Sequence, residues 1–365
     1  AHTDKIAPED AIKWFDSKTD EQLDLMTEYK IDDKTNEIVV DPKTKRKVEA
    51  YPSLRGILND YRGALRGEAI GTILPWDATN QGAQIYALLA RDLPTGLISN
   101  IAFAGNREDA YGDLADILNR ITKTTKFDRD NVKYAFMTYL YGAGKAMILN
   151  GFNKYNPGDA KTREQSIGRF FNKELAEEAK WELFIKAMTE LVPAAVAYME
   201  VIYKFADESR SKFNWVMPDG FIVETTTWEQ EEVVAHYFKL EHDGEKSSTP
   251  TGSIFAKVEV GVTASKALAP NIVHSIDSYI LREVVRRADF DLVTIHDSFG
   301  VHPNNVDALR QIYREVLIDV MEMDLLENIL AQINPDLARV IDRRGQLPKG
   351  ELEAEHINGS EFALR

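Results

Sequence analysis

The sequence contains no cysteine among its 365 residues. That excludes disulfides, thiolate metal sites and a cysteine nucleophile, and it is compatible with a reducing cytoplasm. No apolar run comes near the roughly 18 residues a membrane span requires, so no membrane partner is expected. The first residues, Ala1-His2-Thr3-Asp4-Lys5, lack a basic segment leading into an apolar one, and no secretory signal is expected. Positive charge is scarce: 44 Lys and Arg stand against 59 Asp and Glu, a net charge of −15. That balance argues against nonspecific nucleic-acid binding by the chain as a whole. What is present is core-forming material, 44% hydrophobic residues, enough for a globular protein rather than a disordered one. At about 150 residues per domain the length corresponds to two domains or slightly more.

Along the chain, Pro8-Glu9-Asp10 opens a helix expected over 8–29, with Ile12, Phe15, Leu23 and Met26 as its apolar stripe. Residues 30–48 read as a small exposed hairpin. Leu54 to Leu65 reads as a helix, and Ile73-Leu74-Pro75-Trp76 is a short buried run that stops at Asp77. Further helices are expected near 80–92, 107–123, 129–150 and 169–210, the last broken or kinked at Pro193. Trp215 to Val262 changes to strands and turns; 271–289 and 304–344 return to helix, with a strand at 291–295 between them. There are no repeats and no clear linker. Helices with isolated strands indicate an α+β protein with inserted subdomains.

Three elements carry chemistry. Asp297 follows a β-branched strand in His296-Asp297-Ser298-Phe299-Gly300, which sets a carboxylate at the tip of a tight hairpin, though an ordinary turn Asp would look the same. Asp77 ends its strand before Ala78-Thr79-Asn80-Gln81-Gly82, where an N-cap for the following helix is the plainer alternative. Two such carboxylates on separate strand ends could hold two Mg²⁺ ions for an in-line phosphoryl transfer. In the helix from Arg129, every fourth position forms one slowly turning stripe: Arg129, Lys133, Met137 and Tyr141. Two cations, a thioether and a phenol suit a nucleotide: charge for phosphates, a flat surface for the base, a hydroxyl near the sugar. A solvated cationic face running into core is the alternative.

Together these residues resemble the single-subunit, T-seven-like RNA polymerases of phages and mitochondria. That family carries an Asp-Gly motif A, an Arg-xxx-Lys-xxxxxxx-Tyr-Gly motif B and a His-Asp-Ser motif C, in that order. This chain has Asp77, then Arg129, Lys133, Tyr141 and Gly142, then His296-Asp297-Ser298. Ala78 stands where the family has Gly, and its backbone carbonyl can still ligate a metal. Similar blocks lie between the motifs: Leu88-Leu89-Ala90-Arg91-Asp92, Asp109-Ala110-Tyr111-Gly112, Trp215 to Phe221, and Ala269 to Ser275. Phe362-Ala363-Leu364-Arg365 is similar to the family's Phe-Ala-rich end. The related family A DNA polymerases place a sugar-blocking Glu five residues after the motif A Asp, where this chain has Gly82, and a Glu after the motif C Asp, where it has Ser298. His274 matches a family His near the ribose, although on its own it would read as a satisfied core histidine.

The resemblance implies a right-hand polymerase fold with palm and fingers: an N-terminal palm segment with motif A at 1–95, fingers with motif B at 96–273, and a C-terminal palm with motif C at 274–365. It implies DNA-templated RNA synthesis with two Mg²⁺ ions on Asp77, Asp297 and the Ala78 carbonyl. Arg129 and Lys133 would bind the triphosphate of an NTP, Met137 would abut base and sugar, and Tyr141 with His274 would select ribose in room left by Gly82. His296 would position the primer end. Only 76 residues precede Asp77, so thumb and N-terminal domain are expected from a second subunit. That matches the larger catalytic subunit of the two-chain RNA polymerase of coliphage N-four type, acting in the cytoplasm of an infected host cell. Asp60-Tyr61-Arg62-Gly63 only mimics the family's Asp-x-x-Gly-Arg strand. A specificity-loop-like insertion is expected at 224–258, yet residues 224–246 carry Glu224, Glu229, Glu231, Glu232, Glu241, Asp243 and Glu245 against Lys239 and Lys246. Such a loop suits a duplex major groove poorly, which brings in melted template and a single-stranded-DNA-binding recruiting factor. The rivals are a primase-like or DNA-synthesising enzyme on the same fold, and a non-catalytic assembly subunit.

Overall fold

The computed structural model describes residues 8–365 except 33–34, 36, 43, 51, 104, 106, 152–165, 206–211, 227, 237–240, 243–244, 247–250, 260–263 and 346, and of 226–266 it describes backbone alone. The chain forms two compact units. One comprises 1–110, 280–323 and 350–365; the other comprises 111–279 and 324–349. Helices and short antiparallel strands alternate without a parallel crossover, so the class is α+β. Among the described residues no helix is long and apolar enough to cross a membrane.

The strands, in chain order, are β1 (Leu74–Asp77), β2 (Lys212–Val216), β3 (Ile222–Thr226), β4 (Trp228–His236), β5 (Glu241–His242), β6 (Glu245–Lys246), β7 (Thr251–Glu259), β8 (Leu292–Ile295) and β9 (Ser298–Val301). In the first unit β1, β9 and β8 make one antiparallel sheet with β9 in the middle. Its register sets Asp77 opposite Ser298 and Ser298 opposite Ile295, with Trp76 opposite Phe299 one step back. Because side chains alternate between faces, Phe299 and Val301 go into the core, where Phe299 meets Tyr313 edge-on at 5.8 Å, while Asp77 lies on the other, open face. The helix Gln81–Ala90 is buried along its whole length. Its Gln84 accepts from the Tyr313 hydroxyl at 2.8 Å and donates to the carbonyls of Ala363 and Ser99 at 2.9 and 3.3 Å.

The N-terminal reading needs correction in two places. The single helix expected over 8–29 is two, Pro8–Asp16 and Asp20–Glu28, because Thr19 and Gln22 form a reciprocal capping box that starts a new helix. The hairpin expected over 30–48 is a triangle: Tyr29 bridges Glu49, Ile31 bridges Ile38, and Val40 bridges Lys47. Three hydrogen bonds close its centre, Lys30 to Val48, Val48 to Val39 and Val39 to Lys30, each N–H to carbonyl at 2.8–2.9 Å. The helix Pro52–Leu65 follows, and its Arg62 binds Asp20 and Asp24 at 2.8 and 2.7 Å, a structural use of Asp60-Tyr61-Arg62-Gly63.

In the second unit Pro193 ends one helix, Glu177–Leu191, and starts the next, Pro193–Lys204, as its missing N–H dictates. Tyr139, Trp181 and Phe184 form an aromatic cluster with centroids 5.5–6.2 Å apart. Trp215 of β2 is buried and donates from Nε1 to Ser275 Oγ at 3.2 Å. β4 and β7 pair as a long hairpin across the region expected to hold a specificity loop; its side chains, and those of the acidic residues read there other than the exposed Glu224, lie outside what is described.

Gln84→Leu keeps the shape of a buried side chain and removes the bonds that the Tyr313 hydroxyl and the Ser99 and Ala363 carbonyls make with it, the Ala363 carbonyl keeping only the Thr79 N–H. A buried group that loses its partner costs about 1–3 kcal/mol, so the thermal midpoint should fall by several degrees, measured by calorimetry.

Candidate active site

The residues singled out by the sequence fall in the two units: Asp77, Ala78, Gly82, His296 and Asp297 in the first, Arg129, Lys133, Met137, Tyr141, Gly142 and His274 in the second.

In the first unit the sheet brings the two carboxylates together. β8 and β9 are joined by the two-residue turn His296-Asp297, with Ile295 paired to Ser298. His296 has φ 55°, the left-handed value that a hairpin of this kind asks of its first turn residue and that Gly adopts most easily. Asn80, three residues after Asp77, is also left-handed at φ 55°. Two non-glycine residues in that region, one beside each carboxylate, mark a backbone held under strain. The Ala78 N–H donates to the Asp297 carbonyl at 3.1 Å, which ties the end of β1 to the turn.

On its other side β1 is fastened by residues 362–365. Asp77 N–H donates to the Arg365 carbonyl at 2.6 Å, Arg365 N–H returns to the Asp77 carbonyl at 3.0 Å, and Thr79 bonds Ala363 and Phe362 through its N–H and hydroxyl. This explains why Asp77 is not an N-cap: Asn80 occupies the cap position, without a side-chain bond, and the Asp77 side chain is exposed on the strand. Gly82 sits buried in the first turn of the same helix.

The Asp297 carboxyl is pushed above its ordinary range. Burial is the main cause; a bond from its own backbone N–H opposes it, the Asp77 charge adds to the rise and His296 offsets part of it. The Asp77 charge thus bears on Asp297 as a like charge, an effect that a cation between them would relieve. The donor set suits Mg²⁺. It offers two carboxylates and the Ala78 carbonyl, which points with its N–H toward the 296–297 turn and receives no hydrogen bond among the described residues. No cluster of three His, Cys, Asp or Glu occurs among the described residues, in keeping with an ion that takes one or two carboxylates and fills its shell with phosphate and water.

In the second unit Asp128 caps the helix Arg129–Leu140, its carboxylate accepting from the N–H groups of Asp130 and Asn131. Val132, Ala135, Phe136, Tyr139 and Leu140 are buried. Lys133 and Met137 are exposed, with Met137 at 42%, an unusual exposure for a thioether on a packed helix. The stripe does not continue as one helix through 150. The helix ends at Leu140, Tyr141 is its C-cap, Gly142 follows at φ 83°, and a second helix runs Lys145–Asn150. Gly142 is required twice over, by its φ and because a Cβ there would lie 2.7 Å from Pro270 Cδ.

Tyr141 stacks on His274, ring centroids 5.0 Å apart at 26°. His274 is exposed, so the core-histidine alternative fails. Sequence reading missed Tyr111. This buried ring lies under both cations, 5.1 Å from the Arg129 guanidinium and 5.6 Å from the Lys133 ammonium, and holds them by cation–π attraction. Nothing in its spacing from Arg129 announces that role.

The raised Asp297 pKa has a stability consequence. Its folded value lies above its unfolded one, so stability is lost as pH rises from the ordinary carboxylate range through the folded value, and the deficit persists at neutral pH. Asp297→Asn should therefore melt higher than the parent at pH 7 in the absence of divalent cation, and the gain should vanish below about pH 4, near the unperturbed carboxylate value. A thermal scan across pH checks this.

Comparison with known proteins points the same way. The family model described as DNA-dependent RNA polymerase matches residues 72–358, a span that includes every candidate residue above. The mitochondrial DNA-directed RNA polymerase 1 of Arabidopsis thaliana is 25% identical over 293 residues, covering 72% of this chain and 28% of that protein. DNA-directed RNA polymerase 2A of Nicotiana tabacum is 24% identical over 281 residues, 70% of this chain and 80% of that one. The chloroplastic/mitochondrial polymerase 2 of Arabidopsis thaliana is 26% identical over 303 residues, 73% and 28%. The chain thus spans little more than a quarter of the Arabidopsis proteins it matches. With the greater part of its length matched, the chain belongs to the DNA-dependent RNA polymerase family.

Proposed function

We propose that this chain carries the palm and fingers of an RNA polymerase and catalyses DNA-templated addition of NTPs to an RNA 3′ end. The observation that carries this reading is the placement of Asp77, paired with Ser298, beside the turn residue Asp297, whose charge Asp77 makes costlier. Two Mg²⁺ ions held by Asp77, Asp297 and the Ala78 carbonyl would stabilise charge on the attacking and leaving oxygens.

The remaining steps fall to the chain's own groups. Lys133 and Arg129, held over Tyr111, bind the triphosphate, and Lys133 neutralises the departing pyrophosphate. Lys133 has no carboxylate at ion-pair distance among the described residues, which leaves its charge available. Met137 offers an exposed apolar surface to base and sugar. Tyr141 and His274, already stacked, present polar groups to the ribose, and Gly82 leaves its 2′-hydroxyl room. Gly142 gives the chain the turn that sets Tyr141 at the helix end. His296, on the strained turn, positions the primer end.

We further propose a two-chain enzyme of phage type, in which a basic second polypeptide supplies thumb and N-terminal domain. The charge supports it: a groove for an anionic hybrid needs a cationic field, and this chain is at −15. The seven acids among 224–246 favour melted or single-stranded template, delivered by a single-stranded-DNA-binding factor.

The test is nucleotide addition on a primed single-stranded template. Asp77→Asn should lose essentially all activity, since metal-held charge supplies several kcal/mol of the barrier reduction. Tyr141→Phe should keep addition but admit dNTPs more readily; discrimination built on such a bond is on the order of 10⁴ where the groups are buried, and less where solvent reaches them. Near-normal elongation by Asp77→Asn would remove the assignment, and preference of the parent for dNTPs would favour the DNA-synthesising alternative.

A further inference from the structure

The triangle at 29–49 gathers three consecutive cations at one corner, on the turn that Asp41 opens. Asp32 and Glu37 stand on the turn that joins its first two sides, and Lys45, Arg46 and Lys47 stand on the turn that joins the second and third. Each corner of the triangle is closed by a single bridge, Tyr29 to Glu49, Ile31 to Ile38 and Val40 to Lys47, and the two turns leave from different corners. Within the basic turn the backbone satisfies itself. Asp41 Oδ1 accepts from Thr44 N–H at 2.8 Å, the Asp41 N–H donates to the Arg46 carbonyl at 2.9 Å, and Lys45 N–H donates to the Asp41 carbonyl at 2.9 Å. Lys45 takes φ 57° to do so. The three cationic side chains are left exposed.

Several cations nearby in sequence are neutralised by carboxylates, whereas Lys18 lies over the Trp14 ring and Lys30 has no carboxylate at ion-pair distance among the described residues. Lys13 pairs with Asp10, Arg55 with Glu28, Arg62 with Asp20 and Asp24, and Arg66 with Glu68. Lys45 and Arg46 have no carboxylate at ion-pair distance among the described residues, and Lys47 lies over the Tyr29 ring at 4.8 Å. Three consecutive like charges repel one another, and in a chain of net −15 nothing about folding calls for them. A polyanion would turn that repulsion into binding energy through release of its counterions.

We propose that Lys45, Arg46 and Lys47 form a contact for the phosphodiester backbone of a nucleic acid, one that positions without reading bases. It rests on the reading of this chain as a polymerase, which supplies the nucleic acid as the polyanion. The closed ring of bonds through Lys30, Val39 and Val48 fixes the base from which these three residues stand out.

The experiment uses the full chain, the variant Lys45→Gln/Arg46→Gln/Lys47→Gln, and the charge-keeping variant Lys45→Arg/Lys47→Arg. Binding of fluorescent single-stranded DNA, duplex DNA and RNA–DNA hybrid is followed by anisotropy from about 50 to about 200 mM salt. The triple variant should give a slope of log affinity against log salt shallower by about 2 on single strands and nearer 3 on duplex, with an unchanged melting temperature. The probe that loses most identifies the backbone. The charge-keeping variant should match the parent. Equal slopes for parent and triple variant on all three probes would overturn the contact, while metal-dependent single-nucleotide addition by the same preparations would still report on the polymerase reading. A parent that bound none of the probes would likewise overturn the contact.

Discussion

The structure of the first unit depends on one constraint: a four-residue strand must deliver Asp77 to the level of a two-residue turn carrying Asp297. Register does this. Asp77 sits opposite Ser298 because Trp76 sits opposite Phe299, and Phe299 is anchored in the core on Tyr313. A one-residue slip would send Trp76 to the open face and Asp77 into the core. The fastening is correspondingly redundant: residues 362–365 pair with 77–79, and Gln84 bonds Ala363, Ser99 and Tyr313. These bonds offset the repulsion of two carboxylates and the strain at His296 and Asn80. The site is thus held in a state that the chain alone disfavours, as is common where stability gives way to chemistry.

The second unit solves a different problem, presenting charge and aromatic surface at fixed places on one helix. Asp128 sets where the helix begins, hence where Arg129 and Lys133 stand. Tyr111 sets where the two cations rest, and Gly142 sets where the helix stops, so that Tyr141 turns onto His274. Removing Gly142's freedom would move Tyr141 without touching it.

The sequence made short-range features legible and left long-range ones hidden. The stop of β1 at Asp77, the hairpin at His296-Asp297 and the row Arg129, Lys133, Met137 follow from strand length, turn chemistry and helical spacing. The end of the helix at Leu140 was hidden because Gly142 responds to Pro270, 128 residues away. Pairing of 362–365 with 77–79 was hidden for the same reason, and the shift in Asp297 exists only once burial and Asp77 surround it. The triangle at 29–49 was misread because sides of three residues are too short to show an alternation. The break at Thr19 was readable, since Thr19-x-x-Gln22 is a capping signature, but the apolar stripe across it suggested continuity.

The central claim is that Asp77 and Asp297 together form the seat of the metal ions, and occupancy measures that more directly than activity does. Mn²⁺, as a paramagnetic stand-in for Mg²⁺, can be titrated into the full chain with a non-hydrolysable ribonucleoside triphosphate and followed by electron paramagnetic resonance. The account predicts two bound ions in the parent, and loss of at least one in Asp77→Asn and in Asp297→Asn alike, in chains that remain folded. Unchanged Mn²⁺ binding in both variants would contradict it.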